Sequence, residues 1–283
     1  MSDSPAGSPR EASRTAIAVA MARAAHRRLD PPPYLLDDPI AEQLLGDALV
    51  QRIQDNADMH DEPLARGLRA HVLLRSRVAE ETLQAAARQG VVQYVVLGAG
   101  LDTFAWRQPA WAQSLTIYEV DHPGSQADKQ QRLARAKLAT PSNLHWAAID
   151  FEHESLAHGL DRHGVRRDAP LVASMLGVSM YLTPEDVRRT LAAIAAYPSG
   201  TTLVMTYAST DDPTGASAKL AQGAAMIGEP WRSRYSMDEL DAELAAAGFR
   251  ERIFPTTEDL APYFANQAVL QPPVRPTIVI ATV

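Results

Sequence analysis

The stretch YVVLGAGLDT (94–103) runs an apolar, β-branched segment into Gly98-Ala99-Gly100, followed by Asp102 and Thr103. Glycines at the end of a buried strand let the backbone turn sharply and let a ligand approach with no Cβ in the way. A dinucleotide fingerprint would place a third glycine at position 103, where this chain has Thr103, which weakens a nicotinamide or flavin reading. The next apolar run, YEVDHP (118–123), carries Glu119 and Asp121. Asp121 lies about 20 residues beyond the glycine turn, where a carboxylate accepts hydrogen bonds from ribose hydroxyls. A third run ends in Asp150 and Phe151, an acid suited to an adenine amino group beside a ring that can cover the base. Gly98, Gly100, Asp121 and Asp150 together predict an adenosine pocket at the ends of three successive strands.

Those ends need a sheet to hold them. Five short apolar runs recur after Gly90: VQYVVLG (92–98), LTIYEVD (115–121), LHWAAID (144–150), PLVASML (170–176) and TTLVMTY (201–207). Their wide spacing, with helical pattern between them, suits βα units in a parallel sheet. FRERIFP and the terminal TIVIATV (277–283) follow with no long helix between them. The expected fold is therefore α/β: a Rossmann-like, doubly wound, mostly parallel seven-stranded sheet with an antiparallel C-terminal edge. Helix starts are marked by Thr183-Pro184 with Asp186, and by a capping box of Ser236 and Glu239. The first 90 residues read as helices: Arg14–Arg28, ended by three prolines; a second from Asp38-Pro39 through Ile53; and a long third from Pro63 to Arg88. The expected organisation is a disordered arm (1–10), a helical cover (11–90) and a catalytic α/β domain (91–283), with 209–235 as a lid over the strand ends.

Composition removes several alternatives. The 283 residues carry a net charge of −7, which offers no cation excess for nucleic acid. No cysteine is present, so thiolate catalysis, disulfides and Cys-ligated metals are excluded. No window supplies the roughly 20 apolar residues of a spanning helix. The apolar run 16–22 has Arg10 and Arg14 before it and Arg23, Arg27 and Arg28 after it, and reads as an amphipathic helix rather than a leader. A cytoplasmic protein without a membrane partner is expected. His153, His158 and His163 miss metal-ligand spacing, so no metal is expected. Tyr181 and Glu185 have the spacing of a reductase Tyr-x-x-x-Lys pair without its lysine, which argues against hydride transfer.

Eight segments resemble the leucine carboxyl methyltransferase family of class I S-adenosylmethionine-dependent enzymes, in particular its bacterial small-molecule branch, which includes polyketide carboxyl methyltransferases. They are TAIAVAMARAAH (15–26), LLDDPIAEQLLGD (35–47), RSRVAEETL (75–83), VVLGAGLDTFAWR (95–107), YEVDHP (118–123), AIDFE (148–152), LGVSMYLTPEDV (176–187) and EPWRSRYSMDEL (229–240), in order along the chain. The resemblance implies S-adenosyl-L-methionine as cofactor, S-adenosyl-L-homocysteine as product, and a role in secondary metabolism. Residue by residue, it implies that Arg77, with Arg75 beside it, holds the methionine carboxylate. Gly98, Ala99 and Gly100 form the turn under the methionine moiety, with Asp102 as the flanking acid. Asp121 would bind ribose, Asp150 and Phe151 adenine, and Tyr181 would lie near the reaction centre. Leu176, at the end of the fourth strand, would be a further cofactor contact, though many members carry Glu there and no role of that Glu transfers.

Methyl transfer is an in-line displacement, chiefly a task of proximity and orientation. A carboxylate acceptor is already ionised at neutral pH, whereas a phenol gains from a base, most often His. Among the motif segments the histidines are His26, His122 and His145, and none marks a base. The sequence therefore favours methyl ester formation on a small apolar or aromatic acid, with a phenol or hydroxyl as the alternative. A nicotinamide oxidoreductase and an inactive cofactor-binding homologue remain as competing classes. Met226, Ile227, Trp231 and Tyr235 are the candidates for an apolar acceptor pocket.

Overall fold

The computed structural model describes residues 13–150, 153–212 and 215–283. The helical cover comprises α1 (Arg14–Leu29), α2 (Pro39–Leu45), α3 (Asp47–Asp55), α4 (Ala57–Asp61) and α5 (Pro63–Arg88). Ser13 opens α1 by accepting from the Ala16 amide at 3.2 Å, and the helix stops at Asp30, ahead of the three prolines. Asp38 and Pro39 open α2 as expected. The single helix predicted through Ile53 is instead two, because Gly46 adopts φ +76° between α2 and α3.

The strands are β1 (Gln93–Leu97), β2 (Thr116–Asp121), β3 (Leu144–Ala148), β4 (Val172–Met175), β5 (Thr202–Thr206), β6 (Glu251–Ile253) and β7 (Ile278–Thr282). Between them lie α6 (Phe104–Arg107), α7 (Pro123–Arg135), α8 (Leu156–Arg162), α9 (Pro184–Ala195), α10 (Ala216–Met226), α11 (Met237–Ala247) and α12 (Thr257–Leu260). The stretch 161–168, which reads as a loop in the sequence, begins with the last residues of α8. Sheet order is β3-β2-β1-β4-β5-β7-β6, with β1 to β5 parallel and β7 antiparallel to both its neighbours. The chain's final strand thus sits one place inside the edge, and β6 forms the rim.

The sheet is covered on both faces, as strands with near-continuous apolar runs require. One face carries Val95, Val120, Met175, Leu203 and Val279 against Leu160 of α8, Leu191 and Ile194 of α9 and Leu244 of α11. On the other, Leu73, Leu74 and Val78 of α5 pack on Val204 and Ile278, and Phe104 packs on Tyr94 and Ile117. Each of these fully buried side chains contributes about 1.5–3 kcal/mol of transfer free energy. The order reverses between β1 and β4, so the open crevice of a doubly wound sheet falls at the carboxyl ends of those two strands. Among the described residues, no helix is long and apolar enough to cross a membrane, and no cluster of three metal-ligating side chains occurs.

Candidate active site

Gly98 follows β1 with φ +65°, and a Cβ there would land on the Val178 side chain just beyond β4. The amides of Gly98 and Ala99 donate to the Val120 carbonyl at 2.8 and 3.0 Å, which ties the turn to β2. Gly100 donates its amide to Asp121 Oδ2 at 2.6 Å, while Asp121 Oδ1 accepts from the His122 amide at 2.7 Å. Asp121 is half-buried, and both oxygens keep lone pairs beyond these bonds. Asp102 turns back to accept from the Phe104 amide at 2.8 Å. Asp150, 30% exposed, has His153 Nδ1 at 2.8 Å and His122 Nε2 at 3.9 Å. His122 Nδ1 accepts from the Gly124 amide at 3.0 Å, so the neutral ring carries its proton on Nε2, toward Asp150. Phe151 lies outside the described residues. The turn and both acids therefore come together at the ends of adjacent strands, as their spacing predicts.

A buried network fixes this turn from behind. Thr103, fully buried, donates to Asp38 Oδ2 at 2.6 Å. Arg23 donates to the Leu101 carbonyl at 2.5 Å and has its Nε 3.3 Å from Asp38. Arg107 lies 3.9 Å from Asp38 and is paired with Glu80. Asp38 also caps α2 through the Ala41 amide at 3.0 Å. Burial opposes ionisation of Asp38, but the charges of Arg23 and Arg107 and the bonds from Thr103 and Ala41 win and lower its pKa. Position 103 thus carries a hydroxyl because the loop is anchored to the helical cover through it. A second buried pair, Glu119 with Lys129 at 2.5 Å, lies under the rings of Trp106 and Trp146. Burial lifts Glu119 to about 7 despite that lysine.

The two arginines of the RSR segment part company. Arg77 points outward at 45% exposure, pairs with Glu81 at 2.9 Å, and lines a different depression of about 620 Å³ with Pro33, Tyr34 and Tyr263. The structure does not bring it to the crevice, because two residues along a helix turn a side chain through about 200°. Arg75 is buried, and its guanidinium lies against the backbone of Gly177, where an added Cβ would be 2.7 Å from Nη1. Among the described residues it has no ion-pair partner. Burial and the like charge of Arg23 push it down to about 10, while Tyr181 and Asp102 act the other way. A buried cation without a counter-ion costs several kcal/mol, which an anionic ligand would offset.

Leu176, the departure from the family pattern, is half-buried at the end of β4 and packs against the apolar cluster under α5. Tyr181, in the 3₁₀ turn Ser179–Tyr181, reaches Thr15 Oγ1 at 3.4 Å. The acceptor candidates divide. Met226 ends α10 at 81% exposure, and Tyr235 sits in the core with α9 and α11. Neither therefore lines the crevice. Trp231 is half-buried, with its indole N–H lacking an acceptor among the described residues. The segment 229–235 does run over the strand ends: the amide of Arg232 donates to the Met180 carbonyl at 2.6 Å, and Ser233 Oγ donates to Ser179 at 2.8 Å.

Two groups have no role in the sequence reading. Glu229 caps the start of α1, accepting from Ser13 Oγ at 3.0 Å, from the Arg14 and Thr15 amides at 2.9 and 3.3 Å, and from Thr15 Oγ1. That clasp holds Ala16 over Gly100, where an added Cβ would be 3.1 Å away. His71 lies four residues before Arg75 on α5, so the two share a helix face. Counting back one turn from the arginine would have found it.

The sequence profile described as Leucine carboxyl methyltransferase matches residues 16–195 of this chain, well over half its length. The chain belongs to the leucine carboxyl methyltransferase family. With that family it belongs to the S-adenosylmethionine-dependent methyltransferases. It is 31% identical over 267 residues to YktD of Bacillus subtilis (strain 168), by name an S-adenosyl-L-methionine-dependent methyltransferase, covering 84% of this chain and 86% of that one. It is also 31% identical over 275 residues to Franean1_4929 of Parafrankia sp. (strain EAN1pec), of the same name, covering 89% and 86%. A crystal structure from Thermobifida fusca YX, titled as a methyltransferase, superposes with a TM-score of 0.59 at 20% identity, covering 92% of this chain and 93% of that one. That likeness is one of fold.

Proposed function

We propose that this protein is an O-methyltransferase that uses S-adenosyl-L-methionine and acts on a small-molecule acceptor. The observation that carries the reading is Arg75, a buried guanidinium without an ion-pair partner at the end of β4, next to the glycine turn and Asp102. An amino-acid head group needs a cation and an anion at one end of its pocket. A nucleoside needs acceptors at the other, and the ends of β2 and β3 carry Asp121 and Asp150. On this reading Arg75, not Arg77, takes the carboxylate and Asp102 takes the ammonium. Asp121 takes the ribose diol and Asp150 the adenine amino group. When bound, the cofactor supplies a methyl group activated on a sulfonium. The rest is positioning: α1 and residues 229–235 shield the crevice from water, and the Tyr181 hydroxyl sits between Thr15 and Arg75 to orient the acceptor.

Oxygen as the methylated atom rests on the family resemblance. The sequence favours a carboxylate because its motif segments offer no base; His71 lies outside those segments. The test is transfer of label from [methyl-³H]S-adenosylmethionine into a panel of aromatic acids and hydroxyarenes. The expected result is label in an O-methyl product that depends on Arg75. Label only in amine or thiol products would overturn the reading.

A further inference from the structure

Helix α5 returns through Gly90 into β1 and so runs antiparallel to it, packed on β4 and β5. Its later turns lie along the sheet, and its earlier turns overhang the carboxyl ends of the strands. The contact of Arg75 with Gly177 fixes the level of the strand ends. His71 stands one turn farther out on the same face, about 6 Å along the axis at 1.5 Å per residue. Leu68 and Leu64 continue that face outward; Leu68 is half-buried and Leu64 exposed. The face above the cofactor cradle therefore reads cation, imidazole, then two leucines, a wall suited to a flat apolar ligand with one polar atom near the cradle.

His71 differs from His26, which is fully buried. His26 uses both ring nitrogens inside the protein: Nδ1 is 2.7 Å from Asp30, and Nε2 accepts from the Leu35 amide at 3.0 Å. Neither nitrogen of His71 has a hydrogen-bond partner among the described residues. The ring is half-buried and keeps accessible surface. Burial and the neighbouring Arg75 cation push it down to about 3, so at neutral pH it is uncharged and one nitrogen keeps its lone pair; a carboxylate paired with Arg75 would cancel the second of these effects and make the ring a stronger base. The charges around it are Arg75 on its own helix and, grouped about that arginine, Arg23 of α1, Asp102 after β1 and Tyr181 after β4.

We propose that His71 accepts the proton of a hydroxyl-bearing acceptor, so that the methylated oxygen is a phenolic or alcoholic hydroxyl rather than a carboxylate. The proposal rests on the methyltransferase reading above. As the new O–CH3 bond forms, the acceptor O–H bond breaks and its proton moves to the free ring nitrogen of His71. The electron pair of the broken S–CH3 bond stays on sulfur, and water later takes the proton from the imidazolium. Positive charge thereby passes from sulfonium to imidazole, so the pocket gains none. An ionised carboxylate has no proton to give and meets only a second lone pair at that nitrogen.

The experiment uses the full chain with S-adenosylmethionine and 4-hydroxybenzoate, whose two oxygens give an alkali-stable ether or an alkali-labile ester. Phenol and 4-nitrophenol serve as further probes. The wild type is expected to form the ether. His71→Gln is expected to lose about 10²–10⁴-fold in kcat on phenol, the usual range for a general base, with S-adenosylhomocysteine affinity unchanged by calorimetry. Its residual rate should climb tenfold per pH unit toward the phenol pKa near 10, because only phenolate then reacts. On 4-nitrophenol, already ionised near neutrality, the variant should approach the wild-type rate. In the S-adenosylhomocysteine complex, the ring ¹⁵N resonances of His71 should report a neutral imidazole that shifts when phenol is added. Ester as the product, no turnover of any hydroxyl probe, or a His71→Gln variant with wild-type rate and pH profile would each overturn the proposal. Loss of S-adenosylhomocysteine binding by the wild type would instead defeat the underlying reading.

Discussion

Asp38 joins the helical cover to the glycine turn, and its removal exposes how much of the site depends on that joint. The carboxylate is 0% exposed and meets Thr103, Arg23, Arg107 and the Ala41 amide. Asp38→Ala removes a helix cap worth about 1 kcal/mol. It also strips Arg23 of its counter-ion in a dry setting, and breaking such a buried pair from one side costs about 3–5 kcal/mol. Arg107 keeps Glu80 and adds little. The expected loss is about 4–6 kcal/mol, a large part of a typical folding free energy of about 5–15 kcal/mol. Thr103→Val, which loses only the hydroxyl bond to a charged group, should cost about 1.5–3 kcal/mol and stay folded. Urea denaturation gives both values, and calorimetry with S-adenosylhomocysteine should show weaker binding by Thr103→Val because the Leu101-Asp102 turn is loosened. The pH dependence has a definite sign. The native pKa of Asp38 lies below its ordinary value of 3.8, so the native state binds fewer protons than the unfolded chain between those points. Its stabilisation is present in full above the ordinary value and is lost as pH falls through the native one. Asp38→Asn should therefore flatten the acid limb of stability. An Asp38→Ala protein within about 1 kcal/mol of wild type, with unchanged ligand affinity, would refute the network's role.

Three further outcomes are expected. Gly98→Ala should lose about 2–4 kcal/mol, combining left-handed backbone strain with overpacking on Val178, and should abolish S-adenosylhomocysteine binding in a thermal-shift titration. Glu229→Ala should cost about 1–2 kcal/mol by unclasping α1 and speed hydrogen exchange of the amides at positions 14–17; unchanged exchange there would discount the clasp. Asp121→Ala should remove S-adenosylhomocysteine binding detectable by calorimetry, and retained affinity would detach that acid from the cradle.

The sheet was legible because each strand is short, β-branched and bounded, and because Asp121 and Asp150 fall at strand ends whatever the helices do. Capping chemistry marked α2, α9 and α11, and the structure carries those caps. The misreadings came from directions that one dimension hides. Arg75 and Arg77 are alike in sequence, and only the helix phase relative to Gly177 separates them. Met226 and Tyr235 share a segment with Trp231, yet one ends a helix in solvent and the other is drawn into the core. Thr103 departs from the dinucleotide pattern for a tertiary reason, its bond to Asp38, 65 residues earlier. His71 carried no local signal because its meaning comes from Arg75 one turn away and from the overhang of α5.

The most direct measurement is a calorimetric titration of S-adenosylhomocysteine into wild type, Arg75→Leu and Arg77→Leu, each checked for folding by thermal melting. Wild type and Arg77→Leu should bind alike. Arg75→Leu, relieved of a buried charge, should melt no lower than wild type and bind at least 100-fold more weakly, about 2.7 kcal/mol, within the range for truncating a buried charged partner. Equal binding by wild type and Arg75→Leu, or loss of binding on replacing Arg77, would contradict a cradle closed by Arg75.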